Sequence, residues 1–196
     1  MPDRNIDFGH YKARGELSSL AAARVLDNLA GGISSPVTTR RGLTARLRYM
    51  TRSEHARTLM ASEGLNPSSE TLARWLDGTQ QPKASNLNLI DRTYRRMRRH
   101  NVARYLLQRL NSGGGTRVEI HPADDTLVLE RHRRRDKQMR KINIRKWDRI
   151  VAAWADGAWE KGNKTPLDDA WVDKLRDELG SDWGAYEYTK SLGFNA

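Results

Sequence analysis

Two pairs of neighbouring carboxylates, Asp124-Asp125 and Asp168-Asp169, have the residue type and spacing to hold divalent cations. The chemistry they would serve is two-metal cleavage of a phosphodiester. Both pairs also have a local explanation. Asp124-Asp125 closes the turn-forming sequence PADD, and Asp168-Asp169 falls in the first turn of an expected helix, where acids suit the helix dipole. The five histidines, His10, His55, His100, His121 and His132, show no metal-ligand spacing, and the chain has no cysteine. His132 and Arg135 stand three apart with Tyr186 and Tyr188 downstream, a set suited to strand transfer through a tyrosine. A run of four basic residues meets that spacing by accident. The segment GGGTR lacks the lysine of a nucleotide-binding loop and leads into a strand pattern, not a helix.

Charge is the stronger signal. The 196 residues carry a formal net charge of +11, and the excess is concentrated: residues 86–112 contribute +6 and 113–149 contribute +5, against −4 for 150–196. In the first of these segments seven arginines, Arg92, Arg95, Arg96, Arg98, Arg99, Arg104 and Arg109, face a single acid, Asp91. Guanidinium forks match phosphate oxygens bidentately, so a polyphosphate is the expected partner, with Arg133, Arg134 and Arg135 of the run RHRRRDKQMRK adding to the same excess. An anionic membrane is disfavoured, because no apolar face is continuous with the basic one. The start of the chain has no apolar signal core, and no later stretch is long enough to span a bilayer. These features together with the absence of cysteine suggest a soluble, cytoplasmic protein associated with the nucleoid.

The elements that must position these residues follow from periodicity. Residues 1–15 read as an arm, and ELSSLAAARVLDNLA, 16–30, as a helix stopped by Gly31-Gly32. The piece ISSPVTTRR reads as a linker that places a domain boundary near residue 42. LTARLRYM and the following segment to Gly64 give helical stripes. NPSSETLARWLDG then gives a short helix with Asn66 as its cap, Pro67 at its first position and Gly78 at its end. Helix, glycine turn and short second helix make the helix-turn-helix plan. It would present Ser68, Ser69 and Arg74 towards base edges or phosphates of a major groove.

The stretch Asn86 to Asn111 is expected as one long helix, its buried stripe formed by Leu87, Ile90, Tyr94, Met97, Val102, Tyr105, Leu106 and Leu110. After the glycines, TRVEIH alternates as a strand, with Val118 and Ile120 on one face. TLVLE is predicted as its hairpin partner and INI as a third strand or edge. RKWDRIVAAWADG and TPLDDAWVDKLRDELG are expected as helices, and the tail from Ser181 as a strand or docked extended segment. Trp147, Trp154 and Trp171 occupy core positions, while Trp159 and Trp183 lie near breaks and are candidates for base stacking. The fold class is α+β. It comprises an arm and helix (1–42), a helix-turn-helix domain (43–85), a long arginine-rich helix (86–112) and a small α+β domain with a β-hairpin (113–196).

The order of LTARLRYM, a helix-turn-helix ending in ETLARWLDG, a long arginine-rich helix and a glycine run followed by TRVEI resembles the terminal proteins of actinobacterial linear chromosomes and plasmids. The resemblance covers roughly Leu43 to the C-terminus. It implies a protein that becomes attached to the 5′ ends of telomeric DNA, single-stranded or hairpin, by offering a side-chain hydroxyl to a DNA polymerase as the primer. A telomere-associated protein would be a second partner. The matching acceptor is Thr116, with Arg109 and Arg117 flanking it to hold phosphates; residue types alone do not separate Thr116 from Ser112. No cofactor is implied for this chain, since divalent metal would reside on the polymerase. The other reading is a helix-turn-helix regulator of a plasmid or mobile element, which would act as a homodimer without covalent chemistry.

Overall fold

The computed structural model describes residue 9, residues 12–133 and residues 138–196. The fold is mixed α and β. Among these residues the chain forms β1 (Glu16–Leu17), α1 (Ser18–Ala30), α2 (Arg40–Thr51), α3 (Glu54–Ser62), α4 (Ser69–Asp77) and α5 (Ala84–Asn111). It continues with β2 (Thr116–Pro122), β3 (Arg140–Ile144), α6 (Asp148–Asp156), α7 (Thr165–Leu179) and β4 (Tyr188–Asn195). Two compact units result: Ala30–Val102 is one, and Met1–Leu29 with Ala103–Ala196 is the other. Helix α1 and its short strand thus fold with the C-terminal half, a pairing that no composition shift along the chain could reveal.

The helical unit is built on a core of Leu43, Leu47, Met50, Ala56, Met60, Leu65, Trp75, Ile90, Tyr94 and Met97. Helices α2, α3 and α4 supply the helix-turn-helix. Gly64 between α3 and α4 has φ +84°, as the turn requires. A Cβ there would meet nothing within 4 Å, so the glycine serves the backbone angle and not close packing. The expected cap is corrected: Ser68, not Asn66, caps α4, accepting from the Thr71 amide at 3.1 Å. Ser68 has the extended backbone of a cap (φ −60°, ψ 156°) directly before Ser69, whereas the Asn66 side chain turns back to donate to the Ala61 carbonyl at 3.4 Å.

The supposed linker before α2 is held in place from inside. Arg46, only 6% exposed, donates to the carbonyls of Ser35 (2.7 Å), Gly42 (3.1 Å) and Ile33 (3.3 Å) and to the Asp91 carboxylate (2.8 Å). Tyr94 adds a bond from its hydroxyl oxygen, which accepts from the Ile33 amide at 2.9 Å. One buried cation therefore gathers a segment that its composition marks as loose.

In the other unit a four-stranded antiparallel sheet has the order β1-β4-β2-β3. The register opposes Thr116 to Ile144, Val118 to Ile142 and Phe194, and Ile120 to Leu192. These side chains line the buried face, and Trp147, Trp154 and Trp171, all fully buried, complete the core as expected. Each indole finds an acceptor: Trp147 on the Ile144 carbonyl (3.0 Å), Trp154 on Asp27 (2.9 Å) and Trp171 on the Ser18 hydroxyl (2.7 Å). Satisfied donors let three large rings be buried without an unmet polar group.

Two strand expectations change. TLVLE is not a strand; Thr126–Val128 is a turn, and the antiparallel neighbour of β2 in chain order is β3, which contains INI and lies at the sheet edge. The Asp124 carboxylate accepts from the Thr126 amide at 2.9 Å, a local turn bond that competes with strand pairing. The tail is a strand, β4, inserted between β1 and β2. Among the described residues no helix is long and apolar enough to cross a membrane.

Candidate nucleic-acid interface and acceptor hydroxyls

On α4 the surface residues are Ser69, Glu70, Ala73, Arg74 and Asp77. Arg74 is exposed and pairs with Glu70 one turn earlier at 2.5 Å, a surface pair that a phosphate or base edge could displace at small cost. The Ser68 hydroxyl is engaged differently from what its sequence position suggests. It caps the helix and donates to the Thr71 hydroxyl at 2.9 Å, so it holds α4 instead of offering itself outward. At the other end of the helix Arg40 donates to the Asp77 carbonyl at 3.0 Å. Asp77 accepts from the Thr79 amide and hydroxyl, which hold its carboxyl below the usual aspartate value.

Within the helical unit, the arginines of α5 divide sharply. Arg99 is buried at 1% exposure, and Arg92, Arg96 and Arg98 are half-buried. Arg96 is paired with Glu63, and Arg98 donates to the Ala30 carbonyl at 2.8 Å. Arg95 is exposed and lies 3.4 Å from Asp91, which also neutralises Arg46. The expected uniform basic face is therefore corrected. A 28-residue helix packed on several neighbours must bury more than one stripe, and long arginine stems tolerate that burial when the guanidinium finds a carbonyl or carboxylate.

In the sheet unit, Arg104 and Arg109 are both exposed on the last turns of α5, Arg109 donating to the Ala196 carbonyl at 2.8 Å. Tyr105, assigned by its spacing to the buried stripe, is instead 63% exposed, while Leu106 and Leu110 are fully buried. Arg117 is exposed on the open face of the sheet, opposite Asn143 and Asn195. Arg133 folds back to donate to the carbonyls of Val128 (2.7 Å) and Thr126 (2.6 Å). Arg134 and Arg135 lie outside the described residues, as does His10. Of the strand-transfer set, Tyr186 is buried with its hydroxyl donating to the Gln138 carbonyl at 2.8 Å.

The glycine break carries the two candidate hydroxyls. Gly115 has φ +108°, and a Cβ on it would fall 2.5 Å from the Ile144 carbonyl oxygen, so only glycine lets β2 lie this close to the end of β3. Strand β2 begins at the next residue. Its parity puts Arg117 outward and Thr116 inward, where the Thr116 hydroxyl, on a residue 2% exposed, donates to the Leu110 carbonyl at 2.7 Å. A primer hydroxyl has to enter the active site of another enzyme, and the fold instead holds Thr116, the acceptor the resemblance implies, inward. Ser112 is the exposed hydroxyl of the break, donating to the Arg109 carbonyl at 2.6 Å. Beside the break stand two exposed cations that composition did not single out, Arg145 and Lys146. The Cα of Arg145 would lie 2.8 Å from a Gly115 Cβ. Their signal in the sequence was the RK that follows INI, where the end of an edge strand meets a helix start.

Of the acid pairs, Asp124 is spent on its turn, and Asp168 is buried in the first turn of α7. Trp159 donates to the Trp154 carbonyl at 3.2 Å, and Trp183 is half-buried with the Arg176 guanidinium 5.3 Å from its ring centre. No protein-family model, curated protein or solved structure matches the chain.

Proposed function

We propose that this chain is a DNA-binding terminal protein of linear replicons that primes end synthesis from a hydroxyl in the segment Ser112–Thr116. The observation that carries this reading is the glycine break itself: two side-chain hydroxyls within five residues, with exposed Arg109, Arg117, Arg145 and Lys146 close by in the chain or fold. In the reaction, the acceptor oxygen attacks the α-phosphorus of a deoxynucleoside triphosphate supplied with a DNA polymerase. A P–O bond to the side chain forms, the bond to the β-phosphate breaks, pyrophosphate leaves, and the hydroxyl proton passes to a base of the polymerase. The cations of the break would hold the triphosphate and then the growing 5′ end. The helix-turn-helix with Arg74 supplies duplex binding, the remaining partners are the polymerase and a telomere-associated protein, and the location is the cytoplasm at the nucleoid.

Thr116 is the acceptor that the family resemblance implies, and its burial adds a condition: the bond to Leu110 must open when the polymerase engages the break. Peptide mass spectrometry after nuclease digestion of protein from its native host tests the reading. A nucleotide mass on Thr116 or Ser112 supports priming and fixes the atom; unmodified peptide in cells with intact linear ends overturns it. The buried Thr116 hydroxyl favours a second reading, a helix-turn-helix regulator without covalent chemistry. A twofold-symmetric footprint with no adduct would select it.

A further inference from the structure

Tyr105 is the largest exposed aromatic side chain of the described residues, and it projects from a helix whose neighbouring turns bury Leu106 and Leu110 completely. A tyrosine at 63% exposure gains little from folding, so its apolar ring is left available for a ligand. Its surroundings on the helix say which ligand. Gln108, Arg109 and Ser112 are exposed and, at 3.6 residues per turn, share one face with Tyr105, while exposed Arg104 flanks that face about 100° around the helix. A π-face bordered by guanidinium groups on the same helix surface has the two components that bind a nucleic-acid strand with unpaired bases: a stacking platform and a phosphate track. Paired bases inside a duplex offer no free face to such a ring.

We propose that Tyr105 is a base-stacking residue for single-stranded DNA, with Arg104 and Arg109 holding the phosphates on either side. This deepens the DNA-binding reading and rests on it. Ser112 lies seven residues further on, about 10 Å along the axis and within roughly 20° of the same direction. A strand stacked on Tyr105 is thereby led towards the glycine break. The local charge supplies the complementarity: residues 103–112 carry two exposed arginines, Arg104 and Arg109, and no acid.

The test uses the full chain and two fluorescent ligands, a single-stranded oligodeoxynucleotide containing 2-aminopurine and a duplex of the same sequence. Tyr105→Ala is expected to weaken single-strand binding by about 10- to 100-fold, with duplex affinity changed by less than about twofold. Tyr105→Trp should keep both the affinity and the quenching of 2-aminopurine that stacking produces. Unchanged single-strand affinity in Tyr105→Ala, or equal loss for both ligands, overturns the assignment while leaving DNA binding intact. If the wild-type chain binds neither ligand at low salt, the DNA-binding reading fails first and takes this site with it.

Discussion

The hydroxyl of Thr116 donates to the carbonyl of Leu110, 2.7 Å away, and so ties the first residue of β2 to the last turn of α5 across three glycines. The final carbonyls of a helix have no partner within it, so this bond also completes the helix end. Thr116→Val keeps the shape of the side chain and removes the donor, leaving a carbonyl unmet in a buried place. A loss of about 1–3 kcal/mol is expected in urea unfolding, against roughly 1 kcal/mol for Thr116→Ser, which keeps the bond and deletes a methyl. Equal stability of the valine variant and the wild type would show that the bond contributes nothing.

Arg46 is the single charged side chain on which the segment before α2 is hung, through three carbonyls and Asp91. Arg46→Met retains most of the volume but strands those acceptors, and a loss of about 3–5 kcal/mol is expected. Lysine should rescue little, because one ammonium cannot span four acceptors that a planar fork reaches together. Thermal unfolding followed by circular dichroism decides the matter: Arg46→Lys within about 1 kcal/mol of wild type would remove the fork from the explanation.

Two aspartates report on matching turns. Asp77 accepts from Thr79, and Asp124 from Thr126, in each case first from the amide and then from the hydroxyl, and both carboxyls are held below the ordinary 3.8. A lowered folded value means that these groups favour the folded state above the ordinary value and lose that contribution as pH falls through the folded one. Carbon-detected NMR titration should place both midpoints under 3.8. Thr79→Val and Thr126→Val remove only the smaller contribution, so the midpoints should rise partway and stay low. A return to the ordinary value would reverse the order of causes.

The helix-turn-helix, the long helix, α6, α7 and the three core tryptophans were legible because each rests on local periodicity or a cap. The burial of Thr116 was legible too: it shares strand parity with Val118 and Ile120, which the alternation of TRVEIH already sets inward. Other features depended on contacts distant in sequence. Nothing near Leu17 announces pairing with Tyr188, and nothing near Arg46 announces Asp91. TLVLE misled because its strand-like residues follow an aspartate whose turn bond to Thr126 takes precedence. Tyr105 misled because spacing assigns a residue to a stripe without saying whether a neighbour covers that stripe.

The division among the α5 arginines gives a final test of the charged surface. Arg104 is exposed, whereas Arg99 is 1% exposed, although the two are five residues apart and indistinguishable in type. If phosphate binding uses the surface, Arg104→Ala should leave stability within about 0.5 kcal/mol of wild type and weaken DNA binding. It should also flatten the dependence of log affinity on log salt by about 0.7–0.9, the contribution of one contacted phosphate. Arg99→Ala should do the opposite: a stability loss above about 2 kcal/mol, from emptied volume and stranded partners, with the salt slope of the folded protein unchanged. Binding isotherms at four salt concentrations, paired with urea unfolding of each variant, separate the two effects. A slope change in Arg99→Ala equal to that in Arg104→Ala would mean that DNA draws the buried guanidinium out to the surface, so that burial in the free protein does not decide which arginines meet phosphate.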